Sequence, residues 1–515
     1  MQKQENFSSQ IAETRKSILV RSSNPNIIWI PVYIVVVSLL LFQIFSDWAY
    51  DDPYITYRYS QNLINGTGFV YNANERVLST TTPLFALLLA CLAPLWDNLP
   101  KLANLIGTIS LAVGAVFIWD LAKTWKSPPI GWAGLLLYPS FPLMLTTIGS
   151  ETPLYLALCL GSFATYARRS FKLTAILSAL ALLTRPDGIL VVIILSIDFL
   201  IRIRRPIPWV AVLLFLGITI PWFTFAWIYF GSPIPATLVT KQQQGLMTIS
   251  QRFPAGFVSL IKQYVRKFNY RIEAALVILG GGYLGIESYR NKNFRRWLLF
   301  FGWIVLYFLA YTALGVSRYF WYYAPLIPGI VGLVGLGAAS VVLSAFVFQR
   351  LLFKQQFRNN KNINFTSIAN VLVVLLIAFL ALFQFRDLYN LRSSSDKRID
   401  IYRAIGEWFQ ANTPPDTTIG TLEVGIIGYY SQRHMVDFAG LLIPDIAAQF
   451  SNEKHYDDAA LWAAREYQPN YIVIHEGTLP TLQEQYIKPD CDLLQTFIGQ
   501  KYGFTNNMYI YQCNK

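Results

Sequence analysis

Two adjacent carboxylates, Asp51 and Asp52, stand in the stretch "DWAYDDPYITYRYSQNLINGTG", residues 47–68, which follows directly on a run of twenty almost wholly apolar residues. Like charges this close repel one another, and such pairs are kept where a proton is moved, a cation is held or a positive partner is met. Asp52 precedes Pro53, a good helix start in which the carboxylate caps free backbone N–H groups. That leaves Asp51 unexplained. In the helix so begun Tyr54 and Arg58 are four apart, Tyr57 and Asn62 follow along the next turns, and Asn65, Gly66 and Gly68 close it. One face then offers aromatic surface for a sugar ring and a guanidinium for a phosphate. A carboxylate pair beside such an arginine suits group transfer from a phosphate leaving group. One acid takes the proton of an attacking hydroxyl while cations neutralise the departing phosphate.

The elements that carry this loop are membrane helices. The 515-residue chain is 54% hydrophobic and only 14% charged, against roughly 25% charged for a soluble domain. Its net charge of +13 sits in short clusters between apolar runs instead of along one face, so nucleic acid is not an expected partner. Spans of roughly twenty apolar residues read near 27–46, 102–122, 130–148, 152–167, 172–184, 187–201, 209–230, 272–288, 297–314, 322–347 and 366–384, about eleven crossings. The first is too long for a signal-peptide core, and no small-residue cleavage site follows it.

The fourteen residues of "PLFALLLACLAPLW", 83–96, fit a re-entrant or interfacial helix. With that segment not crossing, "KTWK", "RRSFK", "RIRR", "RNKNFRR", "RLLFKQQFRNNK" and the N-terminal basic residues all face the cytoplasm. Residues 47–101, "GSET" at 149–152, "RPDG" at 185–188, the stretch from "YFGSPIPATLVTKQ", "GVSRYF" and everything after about 385 then face outward.

A transmembrane domain is therefore expected over 1–385 and an extracytoplasmic soluble α/β domain over 386–515. In that tail "RIDIYRAIGEWFQANTPPD" reads as a helix, "TIGTLEVGIIGYYS" and "HMVDFAG" as strands, and "ALWAAREYQPNYIVIHEG" as helix then strand. Its glycines do not have dinucleotide-loop spacing. Cys91 and Cys159 read as small buried hydrophobes, while Cys491 and Cys513 form a pair if the tail meets an oxidising compartment. His434, His455 and His475 lack metal-ligand spacing.

The stretch "DDPYITYRYSQNLINGTGFVYNANERV…TTTPL" resembles the first outer loop of the GT-C superfamily of membrane glycosyltransferases. The likeness is to the bacterial branch that includes mycobacterial terminal arabinofuranosyltransferases, and more distantly to protein O-mannosyltransferases and lipid A aminoarabinose transferases. "GSETPLY", "LLTRPDGIL", "YFGSPIPATLVTK", "SRYFWYYAPLIP" and "GIIGYYSQRHMVDFAGLLIPDI" agree in the same order. The resemblance implies an all-α polytopic membrane domain and a sugar taken from a polyprenyl-phosphate donor. It further implies transfer with inversion to an extracytoplasmic glycan, lipid or protein acceptor, in a bacterial plasma membrane. Carried over by position, Asp51 is the general base, and Asp52 assists or binds a cation, a divalent one if any metal is used. "SETP" and "RPDG" stand where "METP" and "RPEG" are more usual, and Ala236 stands where an asparagine is expected.

Arg58, Arg318 and Lys241 are the expected phosphate contacts, and Tyr54, Tyr57 and Glu151 the expected substrate contacts. Arg318 equally reads as an interfacial anchor, Lys241 as a loop lysine, and Glu151 as an acid suited to a helix start. Arg185 reads as the partner of Asp187 in a turn. Two other classes compete with a transferase. A secondary transporter places ionisable groups at mid-membrane, often at broken helices, for which "GGG" at 280–282 is the best feature; the acids of these spans, Asp120, Asp198, Glu273 and Glu287, instead sit near their ends. A non-catalytic assembly or flippase component is indifferent to Asp51→Asn.

Overall fold

The computed structural model describes residues 29–203, 206–248, 250–352, 365–392, 396–451 and 453–513. The N-terminal basic residues, Arg204, Arg205 and the basic stretch 354–361, on which part of the sidedness argument rests, lie outside the described residues. A helical segment stands at each of the eleven apolar runs. Among the described residues, five helices are long and apolar enough to cross a bilayer: Leu99–Thr124, Trp209–Phe230, Phe294–Leu314, Phe320–Phe348 and Ser367–Leu388. Several of the other runs make shorter or broken helices. The run at 130–148 divides into Pro128–Leu136 and Pro142–Leu145, where proline lacks the donor that would continue the first helix. The segment at 83–96 is a short helix, Pro83–Leu92, followed by a single tighter turn, Ala93–Leu95.

Gly280–Gly282 do not break their helix, which runs from Phe268 to Arg290. Gly280 lies against the Leu333 carbonyl and Gly337 against the backbone of Leu276, leaving no room for a Cβ on either side. Those glycines let two helices pack backbone to backbone. The acids near the span ends have local partners: Asp198 accepts from Tyr166 at 2.7 Å and from Arg202 at 3.0 Å, and Asp120 pairs with Arg168.

The C-terminal unit is built on a five-stranded sheet in the order β2-β1-β3-β5-β4. Its strands are β1 (Thr418–Thr421), β2 (His434–Asp437), β3 (Tyr471–His475), β4 (Cys491–Phe497) and β5 (Met508–Cys513). β1 runs parallel to β2 and β3, and β5 antiparallel to β3 and β4. "VGIIGYYS", expected as strand, is the helix Val424–Ser431 instead. A parallel pair cannot be closed by a tight turn, so the segment between β1 and β2 must cross over, and an apolar run buried on most sides carries no period-2 signal. Cys491 and Cys513 are directly opposite one another on β4 and β5 and form a disulfide. Cys159 is buried as expected; Cys91, expected buried, is exposed on its short helix Pro83–Leu92.

Tyr54, Tyr57 and Phe85 of the first loop share one hydrophobic core with Ile401, Ile427 and Met435 of the tail. The loop at 47–101 and the C-terminal unit therefore fold onto each other.

Candidate active site

Pro53 opens the loop helix Pro53–Ile64, with Asp52 at the capping position and Asn65 closing it. The Asp52 side chain makes no capping bond. It turns to Lys241, whose Nζ lies 3.2 Å from Oδ2; a full positive charge outcompetes partial charges on backbone N–H groups. Lys241 comes from the helix Ala236–Leu246, and its ammonium is ringed by Tyr319, Trp321 and Tyr322 at 4.7, 5.2 and 5.7 Å from their ring centres. Burial pulls against this charge, but Tyr322, Asp52 and Tyr319 outweigh it and hold the ammonium above the usual lysine range.

Asp52 and Lys241 line a cavity of about 440 Å³, together with Glu151, Arg185 and Tyr50. Its other walls are largely apolar, with Ile189, Leu190, Trp222, Phe223 and Leu314 among them. Arg185 reaches Glu151 at 3.2 Å and grips Asp187 through Nε and Nη2, each at 3.1 Å. Its Nη2 also donates to the Tyr311 hydroxyl at 2.8 Å, which donates onward to Asp187 at 3.0 Å. The turn pairing of Arg185 and Asp187 is present, extended to Glu151 at the start of the helix Thr152–Ala167. Burial raises the Glu151 carboxyl, and Arg185 opposes that shift.

Asp51 points elsewhere. Its two carboxylate oxygens accept the backbone N–H groups of Gly425 at 3.0 Å and Ile426 at 2.7 Å, the first turn of the helix Val424–Ser431. Burial, with help from Glu423 and Asp52, pushes the Asp51 carboxyl up to about 8, against the two amides that favour the anion. Asp51 stands beside the cavity, half-buried, and does not line it.

The face of the loop helix expected to meet substrate is occupied by the C-terminal unit and by the segment at Gly149. Tyr54 packs edge-on against Tyr429, and Tyr57 donates its hydroxyl to the Gly149 carbonyl at 2.5 Å. Arg58, 5% exposed, donates to the carbonyls of Tyr71, Gly428 and Arg433, at 2.7 Å in the case of Gly428. A guanidinium so occupied has its donors committed to carbonyls rather than to a phosphate. Arg318 reaches Gln251 at 2.7 Å on an exposed side and does not line the cavity. Sequence reasoning singled out neither Tyr50 nor the trio Tyr319, Trp321 and Tyr322; in a chain this rich in aromatics they carry no distinguishing signal. The close approach of "GIIG" to the loop was equally hidden.

Among the described residues no group of three or more His, Cys, Asp and Glu is placed to hold a metal ion. Oxygen-ligated divalent cations need several converging oxygens. Asp52 here carries an ammonium and Asp51 two amides, so the pair as arranged does not fit such an ion.

Residues 390–511 match a family model described as a domain of unknown function, DUF8728. No curated protein matches the chain. Among solved structures, ArnT from Cupriavidus metallidurans bound to undecaprenyl phosphate is similar at 14% identity and a TM-score of 0.57, covering 94% of this chain and 98% of that one. An Archaeoglobus fulgidus oligosaccharyltransferase tethered to an acceptor peptide with the NVT sequon is similar at 14% identity and a TM-score of 0.52, over 87% of this chain and 69% of that one. The same oligosaccharyltransferase in complex with zinc and sulfate gives 13% identity and a TM-score of 0.51, over 86% and 67%. Likeness at this level of identity concerns the fold: this chain shares the overall fold of ArnT and of that oligosaccharyltransferase, a membrane-helix domain followed by a smaller C-terminal unit in this chain.

Proposed function

We propose that the protein is an integral-membrane glycosyltransferase that moves a sugar from a polyprenyl-phosphate donor to a hydroxyl of a cell-envelope glycan, lipid or protein. The observation that carries this is the cavity with apolar walls and the caged Lys241–Asp52 pair, in a fold shared with a protein bound to undecaprenyl phosphate. The isoprenoid lies along the apolar walls, and the phosphate meets Lys241. Asp51 is the general base: a carboxyl raised to about 8 binds a proton well enough to take one from a hydroxyl near neutral pH. The acceptor oxygen bonds to the anomeric carbon as its proton passes to Asp51. The bond from that carbon to the phosphate oxygen breaks, and its electron pair leaves with the phosphate. Attack from the side opposite the departing phosphate inverts the anomeric carbon, which is the outcome proposed.

The same reading places eleven crossings in a bacterial plasma membrane, with the N-terminus cytoplasmic, residues 47–101 and the C-terminal unit outside, and a domain boundary near residue 386. The Cys491–Cys513 disulfide supports that sidedness, because such bonds persist in oxidising compartments. The finer likeness to terminal arabinofuranosyltransferases is part of this proposal.

The test uses the full chain in lipid nanodiscs, with synthetic undecaprenyl-phosphate sugars as donors and octyl glycosides as acceptors. Wild-type protein is expected to transfer at least one sugar and to retain undecaprenyl phosphate on purification, detected by mass spectrometry. Asp51→Asn is expected to keep the lipid and lose transfer. Transfer by Asp51→Asn at the wild-type rate overturns the role of Asp51, and a purified protein that neither retains nor binds undecaprenyl phosphate overturns the whole reading.

A further inference from the structure

Asp51 takes the amides of Gly425 and Ile426, which are the donors that a helix's own capping side chain normally occupies. Glu423 holds the capping position of that helix yet makes no capping bond. It faces Arg398 at 3.5 Å and His475 at 3.8 Å instead. The helix is thus capped by a residue 374 positions earlier in the chain.

The fit is close and made mostly from backbone groups. A Cβ on Gly425 would stand 2.6 Å from the Asp51 carboxyl carbon, and one on Gly428 would strike the Tyr71 hydroxyl. Tyr71 donates to the Val424 carbonyl at 2.5 Å, and Arg58 donates to Gly428. Asn72 and Met435 exchange two hydrogen bonds, both 3.0 Å. Two glycines three apart are what bring the helix this near the loop.

We infer that the C-terminal unit completes the reactive site: the first-turn amides of the helix Val424–Ser431 position the Asp51 carboxylate, and Glu423 is a positioning residue that acts on its charge. This deepens the glycosyltransferase reading and rests on it. It gives the region matched by DUF8728 a task in sugar transfer. Helix amides fix the direction of the carboxylate, and a misplacement of an ångström at a reacting group costs about 100-fold in rate.

The charges facing the pair come from each element packed on it. Asp52 lies beside Asp51 in sequence, and Tyr71 and Tyr402 flank it from the loop and the tail. Glu423 adds negative charge, itself moderated by Arg398 and His475. Removing the Glu423 charge lowers the Asp51 value, since a like charge disfavours the anion.

The experiment compares Gly425→Ala, Glu423→Gln, Asp51→Asn and the double variant Asp51→Asn/Gly425→Ala in the same nanodisc assay. The Cys491–Cys513 disulfide, followed by thiol labelling, reports that the C-terminal unit has folded. Gly425→Ala is expected to lower kcat about 100-fold with donor KM and undecaprenyl-phosphate binding unchanged. In the Asp51→Asn background it is expected to change the residual rate by less than about twofold, because both changes act through one group. Glu423→Gln is expected to shift the acid limb of the kcat/KM profile to lower pH.

A Gly425→Ala protein with wild-type kcat overturns the inference, as does an equal loss in both backgrounds, which marks a general structural effect. Should Gly425→Ala fail to fold, an unmoved acid limb in Glu423→Gln overturns it alone. Full transfer by Asp51→Asn defeats the underlying reading of Asp51, a different outcome from any of these.

Discussion

The ammonium of Lys241 and the carboxylate of Asp52 meet at 3.2 Å inside a ring of three aromatic side chains. The pair is asymmetric in exposure, the lysine side chain at 13% and the aspartate at 31%. A buried cation with one carboxylate and three ring faces keeps its charge. In the proposed reaction it meets the donor phosphate in the cavity that it lines.

Lys241→Met is expected to leave the fold in place, since the substitute fills the aromatic ring with an apolar chain. Transfer is expected to fall about 100- to 1,000-fold, the loss seen when one charge-stabilising donor is removed. The loss is expected mainly in kcat, with weaker retention of undecaprenyl phosphate. Transfer kinetics and lipid mass spectrometry on the same preparation check both.

The pH dependence of rate and stability should run in opposite directions. As the proposed base Asp51 acts only when ionised, so kcat/KM is expected to rise as pH passes through about 8. Its folded value lies above the ordinary carboxyl value of about 4, so its contribution to stability is full below that pH and is lost as pH rises through about 8. Asp437, pushed up to about 7 by burial against the amides of Ala439, Leu441 and Leu442, adds a loss of the same sign. Thermal unfolding at pH 5 and pH 9 is expected to show the lower midpoint at pH 9, with a smaller difference in Asp51→Asn.

Arg185→Ala is expected to cost stability before it costs chemistry. Its guanidinium is 5% exposed and serves Glu151, Asp187 and Tyr311 together. Removing it strands two carboxylates, a loss of about 3–5 kcal/mol for a broken buried pair. Reduced yield of folded protein in detergent and a lowered unfolding midpoint are the readouts.

Cys491→Ser/Cys513→Ser is expected to behave the other way. The bridge joins an edge strand to its neighbour over 22 residues and does not line the cavity. Its removal is expected to cost about 3 kcal/mol. Transfer at low temperature is expected to stay unchanged, as the nanodisc assay at two temperatures will show.

Membrane helices write themselves in long apolar runs, and a helix stands at every run read from the sequence. Bilayer-spanning length was less legible, because kinks such as that at Pro142 depend on neighbours that composition does not record. The polar segments expected on one side do converge: Asp52, Glu151, Arg185, Asp187 and Lys241 line one cavity. What the loop helix does with its face was not legible. Tyr54, Tyr57 and Arg58 have the right types and spacing to bind a phosphorylated sugar, and the structure gives Tyr54 and Arg58 to the tail and the Tyr57 hydroxyl to Gly149. Spacing shows which side chains share a face, but the element that arrives to cover it comes from more than 350 residues away. The helical "VGIIGYYS" is the same failure seen from the other partner.

The separation of 374 residues between Asp51 and Gly425 bears on how the protein is made. The carboxyl leaves the ribosome 374 residues ahead of its first amide partner. A nascent chain whose apolar helices up to Arg392 have already been made still lacks the two amides that hold Asp51. On the proposed reading, biosynthesis thereby supplies its own safety catch: lipid-linked sugar is spared until the helix Val424–Ser431 has been made and seats itself on the loop.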